Sequence, residues 1–212
     1  MNTPDGFALR PVLRTERFSF LTLSSELSPA EIGTADMRIA ACNDVDPADS
    51  ADLPPRPAHP LSGFLHGLLT LDTPYAAGGL RVTDTSTAVA FSPSCCDGPE
   101  DWHDWYRVAD GSSRIGYGHD PHPSTAERLG DTIRLTVGTD RTGSSVIELS
   151  VPELRHLLAG AEHDLTGFPA VATDRVSEHL PDHSAPLVAA LARVLDLPPP
   201  GIPPAPFNTE RT

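Results

Sequence analysis

Five side chains able to bind a metal or act as nucleophile and base fall within 28 residues: Cys95, Cys96, His103, His119 and His122. Zinc takes thiolate and imidazole ligands that converge tetrahedrally. The spacing does not favour such a site. No C-x-x-C pair is present, His119 and His122 form only a loop H-x-x-H, and adjacent cysteines diverge if the strand is extended. Cys96 with His103 or His119, and with Asp120, has the residue types of a nucleophile, its base and an orienting carboxylate. No cysteine-enzyme signature surrounds them, and no G-x-S-x-G offers a serine instead. A metal- or thiol-dependent enzyme, with zinc as cofactor, is therefore one reading. Ordinary thiols and solvated imidazoles are the other.

The same stretch carries a second pattern. Asp97, Glu100, Asp101 and Asp104 are interleaved with Trp102, Trp105 and Tyr106. A calcium loop needs D-x-D-x-D-G and a distal glutamate, and neither is present. Tryptophan and tyrosine dominate interface hot spots, while carboxylates speed encounter with basic partners. Trp102, Trp105 and Tyr106 are thus candidate binding anchors, with Asp97, Asp101 and Asp104 as steering charges. The competing reading packs both tryptophans at the core edge; three residues apart, they share a face if this piece is helical.

Composition narrows the chemistry. Net charge is −14, and all fifteen basic residues are arginine. Without lysine there is no Walker A amine and no Schiff-base or pyridoxal-phosphate amine. The acidity argues against nucleic acid and anionic membranes as partners. It leaves a basic protein, a cation or a neutral small molecule. No run of about 18 apolar residues is present, and the first residues lack a signal-peptide h-region. Three cysteines, two of them adjacent, are not a disulfide framework, so a cytoplasmic location is expected. Gly78-Gly79 and Gly116-Tyr117-Gly118 are too short for a phosphate cradle and read as turns or bulges.

The elements that position these residues read as α+β: a mainly antiparallel sheet, then two or three C-terminal helices packed on one face. Arg17–Leu23 alternates as a strand, and Ser28-Pro29-Ala30-Glu31 is a capping box opening a helix near Pro29–Ala35. Met37–Asn43 reads as strand or helical continuation. Phe64–Leu71, Gly79–Val82 and Thr87–Phe91 read as short strands. Trp105–Val108 and Arg114–Tyr117 are expected to pair across Ala109–Ser113. Thr132–Val137 and Ser145–Leu149 form the clearest hairpin, with Ile133, Leu135, Val137, Ile147 and Leu149 inward. Ser150 and Glu153 cap a helix over Val151–Thr166; Gly167 and Pro169 end it and begin another, Pro169–Leu180, and Ser184–Leu195 is the last. His156 and His163 lie opposite its leucine stripe, facing solvent, and His179 and His183 flank a helix end. The expected organisation is an N-terminal strand-helix unit (1–43), a Pro/Asp-rich linker or loop (44–60), a main domain (61–197) and a Pro-rich tail (198–212).

The segments SPSCCDGPEDWHDWY, GYGHDPHP, GDTIRLTV and VIELSVPELRHLLAGAEHDL together resemble an uncharacterised family of acidic actinobacterial proteins. The resemblance covers about Gly79–Leu197. That family has no established activity, so it transfers no catalytic residue; it implies a bacterial cytoplasmic protein in which the N-terminal unit is an addition. The functional expectation is a non-enzymatic binding protein, an inhibitor or immunity-type module for a basic protein partner. The alternatives are the metal- or thiol-dependent enzyme and a protein binding a neutral small molecule in a sheet–helix pocket.

Overall fold

The computed structural model describes residues 6–16, 19–46, 53–118, 124–138 and 145–198. Strand β1 (Phe7–Arg14) lies inside a four-stranded antiparallel sheet, flanked by β2 (Phe20–Thr22) and β3 (Gly78–Asp84), with β4 (Ala90–Phe91) beyond β3. The second sheet is an antiparallel meander of β5 (Ile115–Tyr117), β6 (Ser124–Leu129), β7 (Thr132–Val137) and β8 (Ser145–Ser150). Its register pairs Ile133 with Leu149 and Leu135 with Ile147, and all four are buried. On the opposite face Arg134 stands across from Glu148, and the two side chains meet at 2.8 Å. The fold is α+β, as the alternation in these strands implies.

Among the described residues five α-helices accompany the sheets. Helix α1 (Pro29–Cys42) starts at a complete capping box, in which Ser28 accepts from the Glu31 amide and Glu31 reaches back to the Ser28 amide. Helix α2 (Pro60–Thr70) replaces the strand expected over Phe64–Leu71. A short, nearly continuous apolar run cannot distinguish the two by periodicity. Pro60 at the first helical position starts it, and Leu65 and Leu68 are buried. Helix α3 (Trp102–Ala109) likewise replaces the strand expected at Trp105–Val108, so the hairpin with Arg114–Tyr117 does not form; β5 pairs with β6 instead.

Helix α4 (Val151–His179) is continuous where two helices were expected. Its buried residues Leu154, Leu158, Ala161, Leu165, Phe168, Ala172 and Val176 keep one stripe through Pro169. Packing of that stripe outweighs the one amide hydrogen bond that proline forfeits. Gly167 does not end the helix: a Cβ there would stand 3.0 Å from the Ser25 Cβ, so the glycine permits close approach of the turn before α1. Helix α5 (Ser184–Val194) follows a 3-10 turn, with Leu187, Leu191 and Val194 inward.

The boundary expected at 44–60 separates no cores. One hydrophobic cluster runs from Leu9 and Leu13 through Ile39, Leu80 and Leu135 to Leu195, and α4 packs on β1 as well as on β7 and β8. The N-terminal unit is therefore integral to the body. Asn43 closes α1 and is buried; its amide donates to the carbonyls of Ile39 and Tyr75, each at 2.7 Å, and accepts from the Tyr75 N–H at 2.8 Å. It thereby clamps the two ends of the 44–74 segment. Residues 47–52 of the expected linker and 199–212 of the expected tail lie outside the described residues.

Candidate functional site

The segment between β4 and α3 is tied to the first sheet by its backbone. The Asp97 carboxylate accepts from the Ser94 N–H, and the Asp97 carbonyl accepts from the Gly78 N–H at 2.8 Å. The Tyr75 hydroxyl is shared between the carbonyls of Cys95 and Asp97, at 3.0 and 3.1 Å. Burial, then the surrounding acids, push the Tyr75 phenol well above its ordinary range, so it remains a donor. This frame holds Cys95 and Cys96 exposed, with their sulfurs 3.5 Å apart.

A 3-10 turn, Pro99–Asp101, leads into α3. Trp102 and Trp105 share a face of that helix, and the face is turned inward. Trp102 is 4% exposed and donates its indole N–H to the Leu195 carbonyl at 3.0 Å, joining α3 to the end of α5. Trp105 is fully buried. Its ring meets Phe91 edge-on at 5.7 Å, and its N–H donates to the Tyr117 hydroxyl at 3.0 Å. Phe91 belongs to the first sheet and Tyr117 to the second, so Trp105 joins both sheets to α3. The tryptophans are therefore not surface anchors. A buried indole needs a partner for its N–H, and each has found one inside the fold. Tyr106 is half-buried, and its hydroxyl donates to Glu162 on α4 at 2.7 Å.

What remains at the surface is charge. Asp97, Glu100, Asp101 and Asp104 stand at one corner with Asp196, which the turn after α5 brings in. Burial, with repulsion from Asp101, Asp196 and Asp97, pushes the Glu100 carboxyl up to about 7. Its Oε2 is buried and accepts no hydrogen bond among the described residues. Asp101 is raised by burial and then by Asp104 and Asp97. Asp104 is paired with Arg107 at 3.1 Å, one turn along α3. The His103 ring lies against Trp102, with centroids 3.6 Å apart, and its Nε2 is 3.5 Å from the Asp196 carboxylate. His103 thus serves the acidic corner rather than the cysteines.

Among the described residues no three or more His, Cys, Asp or Glu side chains converge to hold a metal ion. The expected set of Cys95, Cys96 and His103 is not brought together as a metal site, and His119, Asp120 and His122 lie outside the described residues. Asp196 and Tyr75 were not legible as members of this region. Each lies at least 20 residues from the cysteines, with no motif linking them.

A separate groove of about 620 Å³ opens beside α1, lined by Met37, Arg38, Ala41 and Gly33 of that helix, Phe64 of α2 and Arg175 of α4. It lies among helices, not between sheet and helix. No helix of the described residues is long and apolar enough to cross a membrane.

Comparison of the chain with protein-family models, with curated proteins and with solved structures found no match.

Proposed function

We propose that the protein is a non-enzymatic, cytoplasmic binding protein, of inhibitor or immunity type, that recognises a basic protein partner through Asp97, Glu100, Asp101, Asp104 and Asp196. The observation that carries this reading is the gathering of Asp97, Glu100, Asp101, Asp104 and Asp196 at one corner, close enough that, after burial, Asp101, Asp196 and Asp97 each help to raise the Glu100 carboxyl. Like charges held close in the unbound protein are relieved by an arriving cation, which favours a basic partner at low salt. Among the described residues Arg107 and His103 pair with these acids, two bases against five carboxyl groups, so the corner stays acidic. The exposed thiols of Cys42, Cys95 and Cys96, none in a disulfide, fit a reducing compartment.

The test compares wild type with a Glu100→Gln, Asp101→Asn, Asp104→Asn, Asp196→Asn variant as baits in a native-host extract. A specific basic protein retained by the wild type, lost from the variant and released by salt well before neutral contacts yield, supports the reading. A partner retained equally by both baits overturns it.

A second reading concerns small molecules. Arg38 and Arg175 make no ion pair within 4 Å among the described residues, yet both line a groove whose other walls include Met37 and Phe64. A pair of guanidinium groups beside apolar surface suits an apolar molecule with one anionic group, rather than the neutral ligand first expected. Decanoate binding that is lost in Arg38→Gln, Arg175→Gln supports this reading; equal binding of decanol counts against it.

A further inference from the structure

We propose that Cys95 and Cys96 form a bidentate site for an angular trivalent thiophile, and that its ligand class is a mono-substituted trivalent arsenical. The site adjoins the acidic corner and shares Asp97 with it, but does not rest on that corner's proposed role. Both side chains are exposed and their sulfurs stand 3.5 Å apart. That distance selects the geometry. With bonds of ~2.3 Å, as for zinc thiolates, two sulfurs 3.5 Å apart subtend about 100° at a shared atom. A linear two-coordinate ion would need them ~4.6 Å apart on the same bond length, and a zinc ion would need two further ligands. No group of three or more His, Cys, Asp or Glu ligands is present among the described residues. A pyramidal trivalent centre bearing one carbon substituent needs two sulfurs and no more.

The frame supports chelation. The carbonyls of Cys95 and Asp97 receive the Tyr75 hydroxyl, the Asp97 carbonyl receives the Gly78 N–H, and the Asp97 carboxylate receives the Ser94 N–H. These bonds flank the two cysteines on both sides, so less conformational freedom is lost on closing the ring. The thiol of Cys96 is raised first by its hydrogen bond with Cys95, which disfavours the thiolate and simple alkylation. Condensation with an arsenical needs no oxidant. With phenylarsine oxide, two S–H bonds and the As–O bond break, two As–S bonds form, and both protons leave with the oxygen as one water. Arsenic stays trivalent throughout.

The test uses the reduced full chain, phenylarsine oxide as probe and excess glutathione as competing monothiol, read by intact and peptide mass spectrometry. One adduct is expected, of the arsenical less one water, spanning Cys95 and Cys96. Because the second bond is intramolecular, retention against glutathione should exceed that of Cys95→Ser or Cys96→Ser by about 100-fold or more. Cys42→Ser should retain the adduct. The folded chain should also hold it at least about tenfold more tightly than a synthetic peptide of residues 91–100, because the fold presets the sulfurs. Equal retention by Cys96→Ser, an adduct on Cys42, or equal affinity of peptide and folded chain overturns the proposal.

Discussion

The Trp105 indole, on α3, donates to the Tyr117 hydroxyl of the second sheet at 3.0 Å, beside the seam where β4 of the first sheet meets β7 of the second. Both groups are buried, and Phe91 packs against both rings. Tyr117→Phe removes the acceptor and strands a buried N–H. It should destabilise by about 1–3 kcal/mol in urea unfolding. Trp105→Ala leaves a large cavity and should cost about 3–5 kcal/mol. If Trp105→Ala kept wild-type stability, the seam would not be a structural joint.

Two helical glycines should respond in opposite directions. A Cβ on Gly67 in α2 would stand 1.8 Å from the backbone oxygen of Asn43, which cannot move without breaking the clamp on Tyr75. Gly67→Ala should cost about 3 kcal/mol or more. A Cβ on Gly160 in α4 meets nothing within 4 Å. Gly160→Ala should stabilise by about 0.5–1 kcal/mol through helix propensity. Thermal unfolding of the pair in one buffer checks both signs.

Stability should fall as pH rises from about 4 to about 7. The Asp36 carboxyl is pushed from 3.8 up to about 7, by burial first and against the pull of Arg175, and its Oδ1 accepts no hydrogen bond among the described residues. Its folded value exceeds its unfolded one, so the folded state holds the extra proton within that window. The contribution is full below pH 4 and is lost as pH passes 7. Glu100, also held up to about 7, acts in the same direction. Asp36→Asn should gain a few kcal/mol over wild type at pH 8 and nothing comparable at pH 4. A Tm–pH curve of equal slope in both proteins would contradict this.

Local chemistry explains what the sequence made legible. Ser28 and Glu31 are three residues apart, and their capping box formed as its spacing implies. Ile133, Leu135, Ile147 and Leu149 alternate strictly, and their hairpin followed. The errors arose where tertiary packing overrode a local rule. Pro169 sits mid-helix because the stripe from Leu165 to Ala172 is worth more than the lost hydrogen bond. Tryptophans in an acidic loop read as hot-spot anchors, with packing at the core edge as the competing reading; burial of both favours the second. Asp97, Glu100 and Asp101 precede α3 and Asp104 is part-exposed on it, while the partners that draw the indoles inward, Tyr117 and Leu195, lie 12 and 93 residues away. Strand β1 carries no clear strand signal because Arg10 and Pro11 interrupt its apolar pattern, although Leu9, Val12 and Leu13 are buried.

The register that pairs Phe7 with Asp84 and Leu13 with Gly78 has a consequence during synthesis. About 70 residues separate the two strands, so at ~5–20 residues per second a ribosome needs several seconds to deliver the second. Until then β1 has only β2 beside it, and a two-stranded ribbon is marginal in water. Helix α4, which packs on β1, emerges later still. Strand β1 is made before the elements that shelter it, with Leu9, Val12 and Leu13 facing water in the meantime. The nascent chain is therefore expected to depend on chaperone cover over its first strand, and refolding from denaturant to be slow for a protein of this length.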